Sequence, residues 1–335
     1  MNSPAKPIPP KPNAPGSTDS PCEVRHLSKR YGDHTVVDDL TFSIPRNHVV
    51  GLIGPNGAGK TTTMKMLLGL VRPSGGDISL LGRTIGEPRW GDALHRVGSM
   101  IEEPPIYDRL TARQNLQYQG LAVQGSVDDN EVDHLLRLVD LADRADDRPR
   151  GYSLGMRQRL GIAITLVGEP DLVILDEPGN GLDPAGIIEI RKLMGRLPET
   201  GTTVLVSSHQ LAEVQQACDQ LIILANGRTV AQGTTAQILS GRSQHLFHVT
   251  VGDDETARTA DALHAAGLAV IERDGSTFVI EPPPDVGGRH LNRLLATSGV
   301  YASSINQHEA SLEDAFLDLV QQADPTLTTQ EVAPS

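Results

Sequence analysis

Short apolar runs separated by polar and helix-forming stretches dominate the first 240 residues. Apolar and polar positions alternate over residues 22–44 around a Tyr-Gly-Asp turn, which predicts two antiparallel strands. Segments at 48–53, 171–176 and 202–207 have apolar centres and the length of buried strands, and each leads through polar or glycine-rich residues into a helix-like segment. Strands that alternate with helices predict a mainly parallel sheet and therefore an α/β fold.

Two further patterns belong to this first part of the chain. Residues 89–159 are rich in helix formers, and 131–141 carry apolar residues at helical spacing. The Asn-Gly pair within 220–233 favours a two-residue hairpin turn between two strands.

The pattern changes after about residue 240, where short alternating segments replace the long apolar runs. Strands are predicted at 246–251, 270–273 and 277–281, together with two helix-like runs. The last helix has Ser311 at its N-cap and Asp314 three residues later, the spacing of a capping box. These segments predict a small C-terminal α/β domain.

Composition suggests where the ordered domains end. The first twenty residues are polar and rich in proline, which is typical of a disordered tail. We therefore predict a disordered tail over 1–20, a main domain over 21–240 with a helical subdomain at about 89–160, a small accessory domain over 241–322 and a flexible tail over 323–335.

Charge and cysteine content exclude several functional classes. The formal net charge of −13 argues against a nucleic-acid partner, because phosphate backbones are bound by basic patches. The two cysteines, Cys22 and Cys218, have no metal-ligand spacing and are expected to be reduced thiols. No segment has the roughly 20 apolar residues needed to cross a bilayer.

The strongest chemical signal is a glycine-rich loop between a predicted strand and a predicted helix. It fits the pattern G-x-x-x-x-G-K-[ST], in which glycines let backbone N–H groups approach phosphates and the helix N-terminus adds partial positive charge. Lys60 would reach the β- and γ-phosphates of ATP, and the Thr61 hydroxyl would bind Mg²⁺. The predicted phosphate-binding residues are Gly54, Pro55, Asn56, Gly57, Ala58, Gly59, Lys60, Thr61 and Thr62.

A second signal lies at the end of the strand predicted at 171–176. Four apolar residues precede Asp176 and Glu177, so the two carboxylates are expected at the carboxyl edge of the sheet, where ligands bind. We expect Asp176 to hold Mg²⁺, directly or through water. Glu177 would orient or deprotonate the water that attacks the γ-phosphate.

Two more segments give the chain its family resemblance: YSLGMRQR at 152–159 and Ser-Ser-His ending at His209. With them, residues 22–240 resemble the ABC ATPases. The resemblance implies a P-loop NTPase fold, the ABC nucleotide-binding domain, with a mainly parallel core sheet, an antiparallel β subdomain and a helical subdomain. It also implies that His209 contacts the γ-phosphate and that Tyr31 stacks on adenine.

The same resemblance implies a second ATPase subunit. In the family, the signature loop contacts the γ-phosphate held by the opposite subunit, and here Ser153 and Gly155 occupy those positions. Asp183 matches the loop that touches the partner site. ATP would thus lie between two chains, either two copies of this one or this chain and a different ATPase.

The chain departs from the family pattern at three positions. Leu154 and Met156 replace the commoner Gly and Gln of the signature loop. Glu102 stands where the family usually has a glutamine that contacts Mg²⁺ and the transport subunit. A carboxylate still binds Mg²⁺, so Glu102 either tunes the metal site or the interface, or is a tolerated substitution.

The resemblance predicts a subunit that binds and hydrolyses ATP to power a membrane transporter, held at the cytoplasmic side of the membrane by a separate permease. The segments SMIEEP and YSLGMRQRLGIA are similar to those of bacitracin and lantibiotic self-resistance exporters. A soluble ABC ATPase acting on ribosomes or DNA is the alternative, disfavoured by the single P-loop and the absence of long heptads. A non-catalytic nucleotide sensor is disfavoured because Lys60, Asp176, Glu177 and His209 are all present. The transported substrate, its direction and the role of the accessory domain stay open.

Overall fold

The computed structural model describes residues 20–240, 246–283, 285–307 and 311–323. The tails predicted at 1–20 and 323–335 lie outside these ranges except for Ser20 and Ala323. The described residues divide into two compact units, one containing those up to Thr235 together with those from Phe316 onward, the other containing those within Ala236–Ala315. Each unit is described by itself.

Strands and helices alternate along most of the described chain. The strands are β1 Cys22–Tyr31, β2 His34–Ile44, β3 Val49–Ile53, β4 Gly75–Leu80, β5 Arg83–Thr84, β6 Val97–Met100, β7 Leu172–Asp176, β8 Thr203–Ser208, β9 Gln220–Ala225, β10 Arg228–Thr234, β11 Phe247–Thr250, β12 Val270–Asp274, β13 Thr277–Ile280 and β14 Ser304–Gln307. The helices are α1 Lys60–Leu67, α2 Trp90–Leu94, α3 Ala112–Gln124, α4 Asp129–Leu138, α5 Leu154–Leu166, α6 Pro184–Arg196, α7 Leu211–Ala217, α8 Thr235–Ser240, α9 Thr256–Ala265, α10 Gly288–Thr297 and α11 Leu312–Ala323.

The larger unit is built on a six-stranded sheet with the order β10-β9-β3-β8-β7-β6. Its five strands from β9 to β6 run parallel, and only the β9–β10 hairpin is antiparallel. Every residue of β3 and β7 is buried, as expected for strands covered on both faces. The predicted α/β fold with a mainly parallel sheet is confirmed.

A second, antiparallel sheet with the order β2-β1-β4-β5 packs beside the first. The predicted β1–β2 pair is present, with Cys22 opposite Ile44 and Tyr31 opposite His34. Strand β4 was not predicted, although Ile78 and Leu80 alternate with polar residues and are fully buried. The predicted hairpin turn also forms, because Asn226 and Gly227 both take the left-handed backbone, at φ +50° and +73°.

Helices α3, α4 and α5 fill most of the stretch predicted to be helical. One element there was missed: β6 pairs with β7 at the edge of the central sheet. It is only four residues long, and Gly98 in its middle packs so closely on α5 that an added Cβ would lie 1.9 Å from the Thr165 carbonyl oxygen. A strand this short and glycine-containing gives almost no period-two signal. In the described part of the chain, no helix is both long and apolar enough to cross a membrane.

The smaller unit has the element order β11-α9-β12-β13-α10-β14, with an antiparallel sheet ordered β12-β13-β11-β14. This is the split βαβ arrangement of ferredoxin-like domains. Its core includes Phe247, Val249, Leu263, Phe278, Ile280, Leu291 and Leu295. The sequence predicted an α/β unit here but missed β14 and one of the helices. The predicted capping contact is present, since the Asp314 amide donates to Ser311 Oγ at 3.1 Å.

Candidate functional site

Three neighbouring parallel strands bring the chemistry-bearing residues to one edge of the central sheet. Ile53 at the end of β3 pairs with Ser208, and Asp176 at the end of β7 pairs with Ser207. Strand β8 therefore lies between the strand that leads into the glycine-rich loop and the strand that ends in the two carboxylates. Because carboxyl ends of parallel strands share an edge, side chains distant in sequence become neighbours.

The glycine-rich loop takes backbone conformations that favour glycine. Gly57 and Gly59 have φ +82° and +94°, in the left-handed region. A Cβ at Gly54 would lie 2.6 Å from the Leu224 carbonyl oxygen, so the loop also packs closely on the sheet. It then feeds directly into α1, whose first residue is Lys60. This is the strand–loop–helix geometry that presents backbone N–H groups to phosphate.

Lys60 is buried at the base of the loop, where its ammonium donates to the carbonyl oxygens of Gly54 at 2.7 Å and Pro55 at 3.2 Å. Burial lowers the pKa of Lys60, while the negative charges of Glu177 and Asp176 act in the opposite direction. A buried ammonium facing two carboxylates is a suitable partner for the anionic oxygens of a polyphosphate.

Hydrogen bonds link the loop helix to both neighbouring strands. Thr61 Oγ1 donates to Asp176 Oδ2 at 2.9 Å, and Ser207 Oγ donates to Asp176 Oδ1 at 2.5 Å. The same Ser207 oxygen accepts from the Glu177 amide at 2.9 Å. The Asp176 carboxylate is thereby fixed through both its oxygens, and Ser207 also fixes the residue that follows it.

Glu177 and His209 form the next link. The His209 Nδ1–H donates to Glu177 Oε2 at 2.6 Å, and both side chains are about three-quarters buried. Glu177 has φ +50°, an uncommon left-handed conformation for a residue with a side chain. Backbone strain of this kind concentrates at functional sites, where the surrounding structure holds it in place.

These residues surround an open cleft of about 590 Å³. It brings together the predicted Asn56, Gly57, Gly59, Lys60, Thr61, Thr62, Glu177 and His209, and adds Val36 and Asn180. Sequence reasoning missed these two. Val36 carries no chemical signal, but its carbonyl oxygen would lie 3.0 Å from a Cβ at Gly59, so β2 forms one wall of the cleft. Asn180 follows the Asp-Glu pair closely, and that spacing could have marked it.

Several predicted residues do not line the cleft: Gly54, Pro55, Ala58 and Asp176 lie beside lining residues, whereas Glu102 and Tyr31 have other contacts. Glu102 has its carboxylate on the ammonium of Lys65 in α1, with Oε1 and Nζ 2.6 Å apart, and has φ +68°. This hydrogen bond is the largest cause of a raised pKa at Lys65. The Tyr31 ring is half exposed, with the Lys29 ammonium 4.7 Å from its centroid. An exposed ring at the end of β1 is accessible for stacking on a base.

Among the described residues that line the cleft, the signature residues Ser153 and Gly155 are absent, and so is Asp183. Ser153 is the N-cap of α5 and accepts from the Met156 amide at 3.3 Å. Asp183 is the N-cap of α6 and accepts from the Gly186 amide at 2.9 Å. The two helix starts adjoin, since a Cβ at Gly155 would lie 3.9 Å from the Leu182 side chain. One chain thus presents its cleft and its signature loop as separate surfaces.

The cleft also fits a magnesium ion. The hydroxyl of Thr61 and the carboxylate of Asp176 are hard oxygen donors that already lie within hydrogen-bond distance. Mg²⁺ typically takes only one or two protein ligands and completes its shell with water and substrate phosphates. Consistent with this, no group of three or more His, Cys, Asp or Glu side chains in the described ranges could hold a metal ion by itself.

The Ser207 hydroxyl gives a testable prediction. Ser207→Ala removes a donor from buried Asp176 and an acceptor from the Glu177 amide, so we expect the free energy of unfolding to fall by about 1–3 kcal/mol. Urea denaturation measures this change. The control Ser43→Ala, on the exposed face of β2, should change it by no more than about 0.5 kcal/mol. Equal effects in the two variants would contradict a bridging role for Ser207.

Comparison with known proteins places this site in a family. The family model described as ABC transporter matches residues 37–180. The bacitracin transport ATP-binding protein BcrA of Enterococcus faecalis is 37% identical over 300 residues, covering 89% of this chain and 96% of that protein. The lantibiotic transport ATP-binding protein SrtF of Streptococcus pyogenes is 41% identical over 212 residues, covering 63% of this chain and 89% of that protein.

A solved structure agrees with the sequence relatives. The ATP-binding subunit of an ABC transporter is 35% identical, has a TM-score of 0.58, and covers 66% of this chain and 92% of its own. The resemblance to the ABC ATPases, the fold it implies and ATP as the bound nucleotide are confirmed. The chain belongs to the ATP-binding subunits of ABC transporters, the ATPases that couple ATP hydrolysis to membrane transport.

Proposed function

We propose that this chain hydrolyses Mg²⁺–ATP at a site shared between two copies of itself and thereby drives a separate permease that exports peptide antibiotics. The observation that carries the proposal is the hydrogen-bonded series from Thr61 through Asp176 and Ser207 to Glu177 and His209. Each member has the chemistry that phosphoryl transfer to water requires, and each is held by its neighbour.

The proposed chemistry assigns one task to each side chain. Lys60 binds the β- and γ-phosphates, and Thr61 and Asp176 hold the Mg²⁺, with Glu102 as a further ligand. When bound there, Mg²⁺ would supply positive charge that neutralises the phosphate oxygens. Glu177 accepts a proton from the attacking water, and His209 orients the Glu177 carboxylate through their 2.6 Å hydrogen bond and contacts the γ-phosphate. Tyr31 stacks on the adenine.

The separation of the cleft from the signature loop supports a dimer. Ser153 and Gly155 lie at the start of α5, where the helix dipole favours an anion, and Asp183 caps the adjoining start of α6. Leu154 beside them is 47% exposed. We infer that these helix starts close over the ATP in the cleft of a second copy.

An exposed aromatic patch on α3 and the loop before it supports a permease partner. The rings of Tyr107 and Tyr118 meet edge to face with centroids 4.9 Å apart, and both are about half exposed. Leu121, one helical turn after Tyr118, is also exposed. Clustered apolar side chains on a surface are typical of protein docking sites. We assign this patch to the permease, which would hold the chain at the cytoplasmic face of the membrane.

The proposed cargo rests on the relatives. BcrA and SrtF are bacitracin and lantibiotic transport proteins by name, and BcrA matches nearly all of this chain. A peptide antibiotic is therefore the substrate class we propose, with transport outward. The permease, a separate protein, would select the individual peptide.

Two variants separate binding from hydrolysis. Glu177→Gln removes the proposed base and should cut ATP turnover by about 10²-fold or more while nucleotide affinity is kept. Lys60→Ala removes the phosphate-binding ammonium and should abolish detectable binding. Phosphate release and fluorescent-nucleotide titration measure the two effects, with Glu199→Gln, an exposed residue after α6, as a control. Turnover within threefold of wild type in Glu177→Gln would contradict the assignment.

Mixing two inactive variants tests the shared site. Lys60→Ala disables the cleft, and Gly155→Glu places a bulky negative charge in the signature loop. In a mixed dimer, one of the two sites combines an intact cleft with an intact signature loop. We therefore expect mixing to restore ATPase activity to a substantial fraction of wild type, while either variant alone stays inactive. If both variants fold and bind to each other but the mixture stays inactive, the shared site is wrong.

A further inference from the structure

Glu102 and Lys65 form an ion pair beside the proposed metal site. Glu102 lies in the loop between β6 and α3, and its Oε1 is 2.6 Å from Lys65 Nζ. Lys65 follows Thr61 by four residues in α1, so the two side chains lie on one face of the helix, a single turn apart. Thr61 in turn donates to Asp176 at 2.9 Å. The ammonium that holds Glu102 thus belongs to the residue one helical turn after Thr61, a residue assigned to Mg²⁺.

The ion pair of Glu102 and Lys65 is exposed enough to solvent to break and let Glu102 take another partner. The Glu102 side chain is 65% exposed and that of Lys65 is 31% exposed, so solvent screens their attraction. Exposed ion pairs contribute little to stability, and they break at small energetic cost. A carboxylate, unlike the neutral amide usual at this position, is attracted both to an ammonium and to a divalent cation. Glu102 thus has two competing partners: the Lys65 ammonium and a divalent cation bound at Thr61, the residue one helical turn before Lys65.

We propose that the Glu102 carboxylate exchanges between the Lys65 ammonium and the Mg²⁺ of bound Mg²⁺–ATP. Lys65 is then a positioning residue that stores Glu102 next to the cleft and releases it when Mg²⁺–ATP binds. The inference rests on the proposed Mg²⁺ site. The replacement of glutamine by glutamate would then have a consequence for the site. The loop that leads to α3 would carry a negative charge whose partner depends on whether Mg²⁺–ATP is bound.

Removing the competitor should strengthen Mg²⁺ binding. With Lys65→Met, the Mg²⁺ concentration that half-saturates binding of a fluorescent, non-hydrolysable ATP analogue should fall about two- to fivefold, the strength of an exposed ion pair. Lys65→Arg keeps the cation and should stay close to wild type. Glu102→Gln should raise the half-saturating concentration, because it replaces an anionic ligand by a neutral one.

The double variant separates exchange from a general effect of charge. Loss of a nearby positive charge attracts Mg²⁺ whatever residue stands at position 102. If Lys65 acts through Glu102, adding Lys65→Met to Glu102→Gln should change the half-saturating Mg²⁺ concentration by less than about 1.5-fold, since the shared interaction is already gone. Thermal unfolding of all four variants checks that each is folded.

Three results would overturn the inference. Lys65→Met could leave the Mg²⁺ dependence unchanged or weaken binding, which would make the ion pair irrelevant or merely supporting. Lys65→Met could have the same effect in both backgrounds, which would indicate charge acting through space. If the wild-type chain binds the analogue without any dependence on Mg²⁺, the proposed metal site itself fails, and this outcome is distinct from the other two.

Discussion

The site depends on the register of three parallel strands around Ser207. Strand β8 lies between β3 and β7, so its last residues adjoin the carboxyl ends of both neighbours. The Ser207 hydroxyl donates to the Asp176 carboxylate and accepts from the Glu177 amide. A shift of one residue in β8 would turn this hydroxyl to the other face of the sheet. The hydrogen bond from Thr61 to Asp176 then ties the start of α1 to the same point. The side chains that we propose for phosphate binding, metal ligation and water activation are thereby placed by one piece of sheet geometry.

Around this fixed centre, the acidic residues differ in how firmly they are held. Asp176 is buried and receives hydrogen bonds at both oxygens, and Glu177 is held through its amide and by His209. Glu102, by contrast, is mostly exposed and forms an ion pair with Lys65. Groups that act directly on phosphate or water must be preorganised, since geometry lost there is lost from the transition state. A ligand that responds to the nucleotide needs freedom instead.

The sequence predicted the parts of the fold that have strong local signals. The buried strands β3, β7 and β8 are continuous apolar runs, and the loop before Lys60 has a fixed pattern of glycines. It could not predict β6, whose four residues pair only because β7 offers a free edge, or the path of β2 that makes Val36 a wall of the cleft. The sequence could not predict the ion pair of Glu102 with Lys65 either, because these two residues meet only through tertiary structure. The sequence predicted that Lys60, Thr61, Glu177 and His209 line the cleft, because the motifs that contain them each follow a predicted strand.

The central claim is that this chain uses ATP binding and hydrolysis to act on a membrane-spanning partner. The most direct test is to recover a tagged Glu177→Gln chain, with ATP, from detergent-solubilised native membranes and to identify co-purifying proteins by mass spectrometry. A matched chain that also carries Tyr118→Asp changes the exposed aromatic patch without touching the cleft. We expect one multi-helix membrane protein in near-stoichiometric amount, retained by the first chain and lost with the second. Ribosomal or DNA-associated proteins in its place, with no membrane protein, would contradict it.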